Sequence, residues 1–268
     1  MSWKESMRQW KLTLAYDGTG FHGWQVQPGL VTVQGELQSA LRRVLGEAPL
    51  PQGSGRTDAG VHALGQVASF ALSSPIPAEN LERALNRTLP PAIRVLSAQP
   101  VAESFHARHS ATAKTYVYRI FRGNLCSPFL APYVHPCRWP LEPALLQSAA
   151  QAVLGEHDFV SLAASDPDQT ARAEDNATEP RSTVRRIFSS DWTEEPGDLL
   201  LYRVRGNGFL HHMVRNLVGT MLEIARGQFP ADAMPRIIAA RSRATAGPTA
   251  PAKGLFLHSV EYDPESLK

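Results

Sequence analysis

The chain has 268 residues, 43% of them hydrophobic and 19% charged, which is the composition of a globular protein of one large domain or two ordinary ones. A formal net charge of +2 excludes a global attraction to polyanions and leaves only the distribution of charge to argue from. No apolar run is long enough to span a bilayer, the opening Met1-Ser2-Trp3-Lys4-Glu5-Ser6 lacks a signal-peptide block, and Cys126 and Cys137 are too few for a disulfide framework, so a cytoplasmic protein with no membrane segment is expected.

In chain order, residues 11–16 alternate with period two and predict a strand with Leu12, Leu14 and Tyr16 on one face. The following Gly18-Thr19-Gly20-Phe21-His22-Gly23 matches a dinucleotide-binding glycine pattern. That pattern needs an immediate helix to aim its amides at a pyrophosphate, and Pro28-Gly29 signals a turn instead. Val33, Leu37, Leu41, Val44 and Leu45 then recur at helical spacing, with Thr32 as N-cap and Gly46 at the exit. A strand over 66–72, a helix after Pro77 that stops before Pro90-Pro91, and a strand over 94–97 complete the first half.

The second half repeats this order. A β-prone strand covers 115–121, a helix has Pro143 in its first turn, strands cover 183–188 and 199–205, and the longest helix carries Val214, Leu217, Val218, Met221 and Leu222. A short helix near Ile237 and a last strand over 255–260 follow; the acidic segment 165–179 reads as a loop. The repeat predicts an α+β fold of two related domains, 1–106 and 107–268, each a mostly antiparallel sheet with helices on one face and an active cleft between the sheets.

Basic residues gather at Arg108, His109, Lys114, Arg119 and Arg122, at Arg181, Arg185 and Arg186, and at Arg203, Arg205 and Arg215, while acids crowd 156–179 and 191–198. Segregation of this kind gives a nearly neutral protein a positive face suited to a polyanion. The stretch Gly55-Arg56-Thr57-Asp58-Ala59-Gly60-Val61-His62-Ala63 sets one acid between two glycines just before an apolar strand. On composition it reads either as a surface turn in which Asp58 bonds its own backbone or as a rigid mount for a carboxylate.

The wider pattern bears on that choice. Tyr16-Asp17-Gly18-Thr19-Gly20-Phe21-His22-Gly23-Trp24-Gln25, the Asp58 stretch, Phe105-His106-Ala107-Arg108, Lys114-Thr115-Tyr116-Val117-Tyr118, His211-His212-Met213-Val214-Arg215-Asn216 and Ala250-Pro251-Ala252-Lys253-Gly254-Leu255 together resemble the tRNA pseudouridine synthase A family over nearly the whole chain. Gln38 and Leu162 depart from that pattern, which has a Glu and an aromatic residue there. The resemblance implies a homodimer that acts on tRNA without metal or cofactor, at positions 38 to 40 of the anticodon stem-loop.

It also assigns roles that suit the residue types. Asp58 is implied as the nucleophile, and Arg215 as the two-pronged guanidinium that keeps it ionised. Tyr116 is implied as the ring that stacks on the extruded uracil and the hydroxyl that relays its C5 proton. Arg56 would fill the space of the flipped base or hold its phosphate, and Arg108 and Lys114 would contact the RNA backbone. His22, His62, His106, His109, His211 and His212 show no spacing characteristic of a metal site.

Overall fold

The computed structural model describes residues 7–165 and 182–268. In chain order the first part holds β1 (Arg8–Tyr16), α1 (Val33–Leu45), β2 (Gln52–Gly53), β3 (His62–Leu72), α2 (Ala78–Thr88) and β4 (Ile93–Pro100). There follow β5 (Ala111–Phe121), β6 (His135–Pro136), α3 (Pro143–Gln151), β7 (Gly155–Asp158), β8 (Val184–Glu195), β9 (Leu199–Gly206), α4 (Met213–Ala225), α5 (Ala233–Ala240) and β10 (Leu255–Tyr262). The class is α+β, with pairing that is mostly antiparallel, as the sequence leads one to expect.

Packing groups the chain into two units, Met1–Tyr116 with Ala252–Lys268, and Val117–Pro251. The sequence expectation divided the chain between residues 106 and 107 and kept its C-terminal part with the second half. Packing instead returns the last strand to the first unit.

In the first unit β1 pairs antiparallel with β3 and β4, and β10 pairs parallel with β3 through Phe256↔His62 and Leu257↔Ala63. Trp10, Leu12, Leu14 and Tyr16 alternate inward along β1, the period-two signature of a half-buried strand. β3 is buried almost continuously, as a strand covered on both faces must be. α1 starts where Thr32 accepts the amide of Gly35 and ends where Gly46 takes φ +74°. α2 is sewn to β4 by Asn86, whose amide donates to Val95 O at 2.8 Å and whose oxygen accepts Val95 N–H at 2.9 Å. Gln38, one of the two departures from the family pattern, closes the α1 exit by donating to Ala48 O at 3.0 Å.

In the second unit β8 pairs antiparallel with β7 and β9, and β5 pairs parallel with β6 through Ile120↔His135. The four-residue β7 has no alternating signal in the sequence and was not anticipated. α3 begins with Pro143 in its first turn and packs on α4 and β8. Every residue of α4 is buried except Arg215 and Glu223. Leu162, the other departure, is buried, and its carbonyl accepts from Asn216 Nδ2 at 2.8 Å. Apart from Ser165, the acidic segment 165–179 lies outside the described residues.

Candidate active site

Asp58 lies in the connection between β2 and β3, half-buried, in a turn closed by Val61 N–H onto its own carbonyl at 3.1 Å. The first glycine-rich stretch wraps this turn. Gly18 N–H donates to His62 Nδ1 at 3.0 Å, Trp24 N–H donates to Thr57 O at 3.0 Å, and Gly60 N–H donates to Phe21 O at 3.4 Å. A Cβ on Gly18 would stand 2.0 Å from Val61 O, and one on Gly23, at φ +85°, would stand 2.6 Å from Thr57 O. Only glycine allows such an approach. Only a single 3-10 turn, Gly18–Gly20, precedes Val33, and no α-helix begins before it among the described residues, so these glycines receive backbone rather than a pyrophosphate.

Beneath the turn is a buried polar network. Gln66 opens the apolar run of β3 and is fully buried. Its oxygen accepts Ser54 Oγ–H at 2.7 Å and Val67 N–H at 3.1 Å, which fixes the amide orientation. Its Nε2 donates to Gly55 O at 2.9 Å and to Tyr16 Oη at 3.4 Å. Tyr16 Oη in turn meets Thr57 Oγ1 at 2.8 Å, one residue from Asp58. Burial pushes the Tyr16 hydroxyl up to about 12, against the opposing effect of its bonds to Thr57 and Gln66.

Of the residues predicted from sequence, Asp58, Arg56, Tyr116, Lys114 and Arg108 fall in the first unit. Tyr116 is buried on β5, and its hydroxyl is held far above the usual phenol range, first by burial and then by Tyr16 and the Asp58 carboxylate. Asp58 and Tyr116 therefore share one electrostatic environment. Arg56 is half-buried within the turn. Lys114 donates from Nζ to Ser54 O at the root of the turn, an anchoring contact that its position in the sequence does not reveal. Arg108 is exposed, and its backbone N–H donates to His106 Nδ1 at 3.0 Å.

Two of the histidines have backbone roles. Nδ1 of His62 and Nδ1 of His106 each accept an amide proton, and those nitrogens are thereby occupied. Tyr16 and Gln66 are the residues that sequence reasoning passed over. A glutamine opening an otherwise apolar strand was the available signal, because a buried amide demands partners.

In the second unit Arg215 lies in the first turn of α4, after His212 at φ +58°. Its Nε donates to Ala250 O at 2.8 Å while Ala250 N–H donates to Arg215 O at 3.1 Å. The segment 247–250 is locked to α4 by further bonds. Gly247 N–H donates to Thr220 Oγ1 at 3.0 Å, and Thr249 Oγ1 bonds Asn216 Oδ1 at 2.7 Å. A guanidinium fixed at both Nε and its own backbone loses little freedom when it binds an oxyanion.

A family model described as tRNA pseudouridine synthase matches residues 13–110 and 149–263. The chain is 54% identical over 256 residues to a tRNA pseudouridine synthase A of Solibacter usitatus (strain Ellin6076), covering 96% of this chain and 100% of that one. It is 43% identical to one from Bordetella petrii, covering 97% and 93% of the two chains. For one from Moorella thermoacetica the identity is 44%, with 94% and 98% covered.

Proposed function

This chain belongs to the tRNA pseudouridine synthase family, and on that premise we propose that it converts uridine to pseudouridine in the tRNA anticodon stem-loop, at positions 38 to 40, with Asp58 as nucleophile. The reaction breaks the C1′–N1 bond, turns the uracil and joins C5 to C1′; the C5 proton leaves and N1 ends protonated. Atoms balance without water, oxidant or reductant. The observation that supports Asp58 is its mount: a carboxylate on a turn bonded from beneath and wrapped by glycines, beside a phenol kept neutral. Such a carboxylate can form an adduct with the substrate or stabilise charge at the ribose without first being reoriented.

Tyr116 is proposed as the stacking ring and as a hydroxyl that passes the C5 proton onward, taking one proton as it releases another. Arg215 is the third proposed catalytic residue, its guanidinium being the group that holds a carboxylate ionised through two bonds. Arg56 is proposed to occupy the stack or hold the phosphate of the flipped nucleotide, and Arg108 and Lys114 to contact the RNA backbone. The working form is proposed to be a cytoplasmic homodimer needing neither metal nor cofactor. No helix among the described residues is long and apolar enough to cross a membrane.

The test is Asp58→Asn, which keeps size and most hydrogen bonding but removes the charge. It is expected to fold and to bind tRNA, yet to form no pseudouridine in long single-turnover incubations read by mapping the modified positions. Turnover near the parent rate would return the stretch to a structural turn. Exhaustive dialysis against EDTA is expected to leave the parent activity intact, and loss restored by one metal would overturn the metal-free reading.

A further inference from the structure

We infer that Tyr16 and Thr57 are positioning residues for Asp58: the hydroxyl pair between them, held from below by Gln66, fixes the turn so that the carboxylate is presented in one orientation. This rests on the reading of Asp58 above. Tyr16 and Gln66 are at the floor of the turn, and Tyr16 Oη, Thr57 Oγ1, Gln66 and Ser54 are all buried.

The directions of the Gln66 bonds follow from the donor inventory. Gln66 spends its oxygen on Ser54 and Val67, so its NH₂ must donate. It does so to Gly55 O and Tyr16 Oη, and the Tyr16 Oη–Thr57 Oγ1 contact joins two hydroxyls, either of which can donate. The bonds to Ser54, Gly55 and Thr57 all reach residues 54–57. Together with Trp24 N–H on Thr57 O and Lys114 Nζ on Ser54 O, they immobilise the turn on the N-terminal side of Asp58.

On the C-terminal side Gly60 takes φ +77° and Val61 N–H returns to Asp58 O. Gly60 N–H also reaches Phe21 O, and the network beneath residues 54–57 adds a long-range constraint on the turn that carries the carboxylate. A buried network of this kind also contributes to stability. The inference claims more, namely that the hydroxyl pair acts on the chemical step through Thr57.

The test compares Tyr16→Phe, Thr57→Val, Thr57→Ser and the double variant Tyr16→Phe/Thr57→Val in single-turnover reactions at saturating tRNA, at a temperature where circular dichroism shows each fully folded. Tyr16→Phe and Thr57→Val are each expected to slow the chemical step by about 10-fold or more while tRNA affinity stays within about twofold of the parent. Thr57→Ser, which keeps the hydroxyl, is expected to recover most of the rate lost in Thr57→Val. The double variant is expected to be no slower than the slower single one, because both changes break one link.

Parent-like rates in both single variants would overturn the inference, as would a defect confined to tRNA affinity. Fully additive losses, or a Thr57→Ser variant as slow as Thr57→Val, would also overturn it. Should Tyr16→Phe fail to fold, the Thr57 pair decides alone. Asp58→Asn, run in parallel, separates the two readings. If it is inactive while the Tyr16 and Thr57 variants match the parent, only this inference falls; if it is active, the reading of Asp58 falls first.

Discussion

A phenol is a weak base at neutral pH, and burial together with the nearby Asp58 carboxylate makes the Tyr116 phenolate less accessible still. In the role proposed above Tyr116 acts in its neutral form, and the rate between about pH 7 and 9 is expected to show no rising limb from tyrosinate. Tyr116→Phe keeps the ring and removes the proposed relay; proton loss from C5 after glycosidic cleavage is expected to stall, with tRNA affinity retained, as read by rapid-quench analysis of bound intermediates. Arg215→Lys keeps the charge but loses the planar fork, and a defect of roughly 10²-fold, about 2.7 kcal/mol of barrier, is expected in single-turnover rate. At this scale the sequence makes the charged residues legible, because an acid between glycines and an arginine on an apolar helix stand out locally. Gln66 and Tyr16 do not stand out. Their significance lies in partners 11 and 41 residues away, Gly55 and Thr57 respectively, and no local pattern encodes such a pairing.

Elements with local stop signals are the ones whose bounds can be read from sequence. Thr32 and Gly46 bracket α1 because a side-chain oxygen and a left-handed residue satisfy orphan helix groups there. Thr32→Ala is expected to lower stability by about 1 kcal/mol in chemical denaturation. The short β7 and the far end of β8 are set by pairing with neighbours, which the strand residues themselves do not announce. The stretch 18–23 shows the same divide. Its glycines are visible in sequence, but what they admit is the backbone of the Asp58 turn. Gly23→Ala combines a strained φ with a backbone clash, so it is expected to reduce the chemical rate well beyond its effect on the unfolding midpoint. A rate that falls only in proportion to the unfolded fraction would contradict this.

Tyr16, Tyr116, Tyr118, Tyr202 and Tyr262 all have hydroxyls raised chiefly by burial. A phenol whose folded pKa lies above its unfolded value of about 10 supports the fold fully below that pH. Its contribution is lost as pH climbs through the folded value, about 12 for Tyr16. The phenolate absorbance of these five tyrosines is therefore expected to stay low through pH 10 and then to appear together with the loss of near-ultraviolet dichroism, as one transition. A normal titration of all five in a protein that remains folded would refute this. The substrate supplies the other molecule-wide expectation: tRNA affinity falls steeply with salt through counterion release, and Arg108→Ala lowers the affinity and flattens that slope by about one unit. The sequence conveys the α+β class through its alternating and helical periods. It cannot convey that residues 252–268 belong with the first unit, since a parallel pairing of two distant strands has no turn signal.

That parallel pairing orders events during synthesis. β10 adds to β3 at His62 and Ala63, directly after the Asp58 turn, and the whole second unit is translated in between. While the ribosome is still working on that stretch, the edge of β3 at these residues remains open, an exposed template of the kind that invites wrong partners. Until β10 is made this edge is therefore a natural point for chaperone attention, and products stalled before Leu255 are expected to be prone to aggregate.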